Sequence, residues 1–226
     1  FLWTFINPLL QLVVYTIVFS FILKTNIERY YLYLFVALIP WIFFSSSITV
    51  GSASIVAQKD LIKKIYFPRM VIPISYVTSS FVNMLLCFIV IFAVIIVSGA
   101  GINFLALLTL PVIMLVEYIL ALGMAMLTSA ITVYFRDLEH ILGIVTMAWM
   151  YMTPIMYDKS IVPENLMPIF NLNPMTHVIE CYRAVLYEKK IPDLTTLLSA
   201  AGLGILILIV GILVFNKLQK RFAEEL

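Results

Sequence analysis

Six stretches of this 226-residue chain are long and apolar enough to cross a bilayer, whose hydrocarbon core takes about 20 helical residues. They run roughly 2–23, 31–50, 71–97, 104–135, 141–157 and 194–216. The fifth is short and the fourth long, which predicts tilt or a kink in both. A transmembrane β-barrel would instead show ~10-residue segments of alternating polarity, and the sequence has none. Its residues are 63% hydrophobic and only 12% charged, with a mean hydropathy of +1.10. Soluble domains carry about a quarter charged residues. The sequence reads as an all-α integral membrane protein of six transmembrane helices.

Six spans put both chain ends on one membrane side, together with the loops 52–69 and 136–140. That side holds Lys59, Lys63, Lys64, Arg69, Arg136, Lys217, Lys220 and Arg221. The other holds Lys24, Arg29, Lys159, Arg183, Lys189 and Lys190. The excess of basic residues, compact in 59–69, places the 52–69 loop in the cytoplasm. Within it Leu61, Ile62, Ile65 and Tyr66 recur at helical spacing, with Lys59, Asp60, Lys63 and Lys64 opposite them. Asp60 precedes Lys64 by four residues, the favourable order for a helical ion pair. Pro68 disfavours helix at Phe67. The expectation is a short amphipathic helix at the cytoplasmic surface. Two roles fit it, an anchor on anionic headgroups and a docking helix for a soluble partner.

The connection from Asp158 to Asp193 is also patterned. Asn173 fits an N-cap and Pro174 the first helical position. Met175, Val178, Ile179, Tyr182 and Leu186 then form one apolar stripe, with Thr176, Glu180 and Arg183 off it. At about 14 residues this helix is too short to span. With "PENLMPIF" before it, it reads as a pair of short re-entrant or interfacial helices on the outer side. Irregular backbone at that depth must be covered by protein or line a wet cavity.

The sequence has no G-x-x-x-x-G-K-[ST], so it has no P-loop with which to hydrolyse ATP, and neither G-x-S-x-G nor H-E-x-x-H occurs. His140 and His177 stand apart from each other and from the cysteines, so no metal site and no catalytic residue are expected. Cys87 and Cys181 fall at different depths, which predicts no disulfide between them. Glu117 lies inside the fourth span, where an ionised carboxylate costs about 2.5–3.5 kcal/mol. It fits either a translocation path or a hydrogen-bonded interior position facing a Tyr or Ser. Trp149, Tyr151 and Tyr157 cluster towards the outer end of the fifth span. They fit an interfacial aromatic belt or a conduit wall that stacks on sugar rings. Pro8, Pro40, Pro111 and Pro154 fall within the predicted spans and can kink them.

Several stretches resemble the permease subunits of type-2 ABC exporters, above all the branch that exports polysaccharides and polyol phosphates. "FLWTFINPLLQLVVYTIVFSFI" (Phe1–Ile22) is similar to that branch's first span, and "KIYFPRMVIP" (Lys64–Pro73) to its first cytoplasmic loop. "AITVYFRDLEHILGI" (Ala130–Ile144) resembles the turn between spans four and five. "TPIMYDKSIVPENL" and "NPMTHVIECYRAVLY" resemble the outer re-entrant region. The stretches occur in the family's order over essentially the whole chain. The resemblance implies one type-2 ABC transmembrane domain over 1–226. The family's interfacial helix before span one has no counterpart here, so a trimmed N-terminus is expected.

It also implies a homodimer in the bacterial cytoplasmic membrane, surrounded by lipid and docked on two P-loop ATPase subunits that bind the ATP and Mg. The chain itself then holds no cofactor, and no nucleic-acid partner is expected. The ATPase-coupling surface becomes Lys59, Asp60, Lys63, Lys64, Tyr66, Pro68 and Arg69, with Arg136 and Asp137 as a second contact or pivot. The outer re-entrant region takes in Asn173, Pro174, Tyr182 and Arg183. The implied cargo is a polyprenyl-linked envelope glycan such as an O-antigen, capsule or teichoic-acid precursor. Export of a drug or small lipid by the same architecture is the alternative. A secondary transporter would favour internal repeats and paired midplane charges, and an intramembrane enzyme would need several polar groups at one depth.

Overall fold

The computed structural model describes residues 2–18, 27–65 and 67–225, which form helices joined by connections that are short except for the irregular stretch between residues 151 and 167. In chain order these are α1 (Leu2–Thr16), α2 (Tyr30–Ala57), α3 (Lys59–Lys64), α4 (Val71–Val97), α5 (Phe104–Leu107) and α6 (Leu110–Tyr134). There follow α7 (Leu138–Tyr151), α8 (Met167–Leu172), α9 (Pro174–Leu186), α10 (Leu194–Leu218) and α11 (Phe222–Glu225).

Four segments among the described residues are long and apolar enough to cross a membrane: Tyr30–Ala57, Val71–Val97, Phe104–Tyr134 and Leu194–Arg221. The sequence predicts six. The described part of the first span has 15 α-helical residues, and positions 19–23 of its predicted range lie outside the described residues. The fifth differs for a local reason. α7 has 14 residues, about 21 Å at 1.5 Å per residue, and the chain leaves the helix ahead of Pro154. Proline disfavours helix at the residue before it. Pro111 likewise sits in the first turn of α6, where its missing N–H breaks no bond. Pro40 stands inside α2.

The helices pack around α2, whose residues from Leu32 to Ile39 are buried on every side. A helix apolar all round suits such a central position. α4 and α6 flank it, and α10 packs along α6. α4 and α10 turn Ile89, Ile96, Leu206 and Leu213 outward, as a lipid-facing surface requires.

Glycines set the closest approach. A Cβ on Gly211 of α10 would fall on the Gly123 carbonyl oxygen of α6, and a Cβ on Gly123 would lie 2.6 Å from the Leu208 backbone. Small residues let membrane helices touch backbone to backbone, where association rests on dispersion rather than on hydrophobic burial. Cys87 of α4 and Cys181 of α9 are both buried.

Candidate functional site

At the basic end, α3 turns one residue inward. Ile62 packs in a cluster with Ile55 of α2, Ile72 of α4, Met126, Ala130 and Val133 of α6, and Phe215 and Phe222. Lys59, Asp60, Lys63 and Lys64 are all exposed. Leu61 and Ile65, which the helical pattern puts on the apolar face, are exposed too. The α3 surface is therefore open, while its single buried side chain joins a cluster drawn from four of the long helices.

Arg69 behaves differently from the lysines. Its Nη1 donates to the Gln219 carbonyl, and its guanidinium stands 6.0 Å from the Phe222 ring centroid. Tyr134 donates to the neighbouring Leu218 carbonyl at 2.8 Å. Carbonyls at a helix C-terminus lack intrahelical partners and attract cations, so Arg69 and Tyr134 finish α10. Pro68, Arg136 and Asp137 are exposed; the latter two form the turn into α7. Tyr66 lies outside the described residues.

At the opposite end, the irregular segment after α7 is held through its carbonyls. Tyr30 donates to Met156 O at 2.9 Å, Tyr33 to Tyr157 O at 3.0 Å and Arg183 Nη2 to Ile155 O at 2.7 Å. Non-helical backbone at membrane depth needs such partners. Arg183 is 6% exposed and its guanidinium carbon lies 3.6 Å from the Tyr33 ring centroid, a cation–π contact. Burial pulls Arg183 below the ordinary guanidinium value, and Tyr33, Asp158 and Glu180 around it favour the charge.

Asn173 joins α7 to α9. Its Oδ1 caps α9 through Met175 N at 3.1 Å and also accepts from Trp149 Nε1 at 3.0 Å. Its Nδ2 donates to Thr153 Oγ1 at 2.9 Å. Pro174 takes the first helical position, as the sequence predicts. Tyr182, fully buried on α9, donates to Glu117 Oε2 at 2.6 Å. Glu117 thus occupies the hydrogen-bonded interior position, one of the two that its sequence context allows. Trp149 is half-buried and set edge-on against Phe44. Tyr157 donates to Tyr151 O at 2.6 Å, and Tyr151 is exposed.

Between α1, α2 and α7 runs a groove of about 520 Å³, lined by Tyr15, Trp41, Ser45, Ser46, Thr49 and Thr146, among others. Ser45, Thr49 and Thr146 donate to carbonyls of their own helices, which leaves their oxygens as acceptors towards the groove. Glu117, Trp149, Tyr151 and Tyr157 are not among its lining residues. Sequence reasoning passed over this wall. Its signal is the hydroxyl run Ser45–Ser46–Ser47 with Thr49, inside an otherwise apolar span.

Residues 1–187 match the family model described as ABC-2 type transporter. The chain is 32% identical over 228 residues to an O-antigen export system permease protein RfbA of Myxococcus xanthus, an alignment covering 100% of this chain and 87% of the relative. It is 34% identical over 226 residues to an O-antigen export system permease protein RfbA of Klebsiella pneumoniae, with the same coverage of 100% and 87%. With that model matching most of its residues and such relatives aligned along its whole length, the chain belongs to the ABC-2 type transporter family.

Proposed function

We propose that this protein is the permease subunit of an ATP-driven exporter that carries a lipid-linked cell-envelope polysaccharide of O-antigen type across the bacterial cytoplasmic membrane. The observation that carries the reading is the groove between α1, α2 and α7. Its wall sets Trp41 and Tyr15 beside hydroxyl acceptors inside an apolar bundle. Aromatic faces and hydroxyls are what sugar rings bind, and a path for an apolar drug or a small lipid has no use for a row of Ser and Thr. Full-length similarity to O-antigen permeases supports the same cargo class.

The working unit is a homodimer of six-span subunits. In it α1 and α7 complete the first and fifth spans, and the second copy closes the open side of the groove. Two P-loop ATPase subunits dock on the cytoplasmic end, where α3 presents Lys59, Lys63 and Lys64. Their movement passes through Ile62 into α2, α4, α6 and α10. α8 and α9 form the outer re-entrant pair, and the chain supplies no nucleotide chemistry of its own.

The test is reconstitution. The permease and its cognate ATPase are placed in proteoliposomes loaded with the host's polyprenyl-linked polysaccharide, and glycan protected from an external glycosidase is followed after ATP addition. ATP-dependent movement of the glycan supports the reading. Hydrolysis with no glycan movement, or glycan movement that ignores ATP, rejects it.

A further inference from the structure

Two cavities open between α9 and the start of α10, at the end of the molecule away from α3. One, of about 440 Å³, has Asp158, Lys159, Glu180, Arg183, Lys190 and Asp193 in its wall. The other, of about 680 Å³, has Asn171, His177, Thr195 and Ser199 in its wall. Lys159, Glu180 and Thr196 line both. The 2.7 Å ion pair between Lys159 and Glu180 therefore stands on their common boundary. Each volume falls within the range of small-molecule sites, about 300–1,000 Å³.

We infer that these adjoining cavities form a saccharide-binding groove on the outer face, separate from the groove inside the membrane. The first reason is charge. Three cations, Lys159, Arg183 and Lys190, meet four carboxylates, Asp158, Glu180, Glu188 and Asp193, in one wall. A phosphate would face the carboxylates and a lone cation would face Arg183, so the near balance favours a neutral ligand.

The second reason is which polar groups the fold leaves open. Asp158 already accepts from Ser160 N at 2.8 Å, and Glu180 holds Lys159. Asp193, in contrast, sits at the N-cap of α10 without bonding any helix N–H, although Asp is among the best caps. Its carboxylate and the first N–H groups of α10 are thus both available. Arg183, bonded to Ile155 O and stacked on Tyr33, lends the same wall its charge rather than a free donor. Thr196, half-buried between the two cavities, adds a hydroxyl that both donates and accepts. Acceptors and donors side by side in one wall suit a chain of vicinal hydroxyls, each of which also donates and accepts. Only the link to the exported glycan rests on the export reading.

The experiment uses the permease–ATPase complex in lipid nanodiscs, titrated with lipid-free oligosaccharide fragments of the host's surface polysaccharide and, in parallel, with inorganic phosphate. Binding is followed by saturation-transfer NMR, and export is scored separately in vesicles. The wild-type complex should bind the oligosaccharide, and Asp193→Asn combined with Thr196→Val should weaken it about tenfold. Both positions are at least partly exposed, and co-elution of permease and ATPase as one complex with unchanged thermal unfolding certifies assembly. Equal affinity in the variant, phosphate binding in place of saccharide, or no saccharide binding by a complex that exports overturns the site. Saccharide binding that the variant weakens, in a complex that does not export, keeps the site and rejects the export reading.

Discussion

Tyr182 donates a 2.6 Å hydrogen bond to Glu117 Oε2, and neither side chain has any exposed surface. The bond fastens the outer helix α9 to α6, which runs the length of the bundle. Glu117 Oε1 has no partner among the described residues, so Tyr182 is the one donor that the carboxyl is given there.

Tyr182→Phe should destabilise the protein by about 1–3 kcal/mol, because it leaves a buried acceptor unmet. Glu117→Gln keeps an acceptor for Tyr182 and should cost less and preserve export. The double variant Glu117→Leu with Tyr182→Phe removes both polar groups and should recover much of the loss. Thermal unfolding in mild detergent, read by fluorescence, checks the ranking. A Tyr182→Phe variant as stable as wild type would remove this bond as a fastening.

The α6–α10 crossing depends on bare backbone at Gly123 and Gly211. Gly211→Ala should destabilise by about 1–3 kcal/mol, since the new methyl meets backbone rather than a side chain that can swing away. Gly202, on the same helix, has nothing within 4 Å of a built Cβ. Gly202→Ala should therefore be neutral, or stabilising by up to about 1 kcal/mol through helix propensity. Both are read by the same unfolding measurement.

The α3 surface and its anchor should separate under mutation. Lys63→Glu with Lys64→Glu changes only exposed side chains and should leave unfolding unchanged while uncoupling ATP hydrolysis from export. Ile62→Ala should lower stability by about 2–5 kcal/mol, the usual range for a truncated buried Ile. Paired ATPase and export assays score the first, and unfolding scores the second. Normal export by the lysine double variant would reject α3 as the coupling surface.

Asn173 serves a helix cap and an indole at once. Asn173→Ala should cost about 1–2 kcal/mol through the lost cap and release Trp149 from its hydrogen bond. The emission of Trp149, measured with Trp3 and Trp41 replaced by Phe, should then shift. Asn173→Asp keeps the acceptor for Met175 N and Trp149 and should leave that emission nearly unchanged. An Asn173→Ala spectrum identical to wild type would show that the indole is held by packing alone.

Local rules of the chain determined much of this protein. Continuous apolar runs set the long helices, because backbone in a hydrocarbon core has to bond within its own segment. The basic 59–69 stretch marked α3, and Asn173 followed by Pro174 marked the start of α9, since caps and charge segregation depend on neighbours in sequence. Glu117 was legible as an acid that needed a partner. Its partner was not, because Tyr182 lies 65 residues away and only the packing of α9 on α6 brings them together. Arg69 looked like one more lysine-type surface charge until the fold set it on the carbonyl end of α10. Trp149, Tyr151 and Tyr157 were visible as a cluster, but the side each faces depends on how α7 and the irregular segment after it pack against α2. The hydroxyls of Ser45, Ser46 and Thr49 became a groove wall only where α1 and α7 stand across from them. Periodicity along one helix fixes which residues share a face. Which face meets which neighbour is settled by side-chain packing between segments far apart in the chain, and that information exists only in three dimensions.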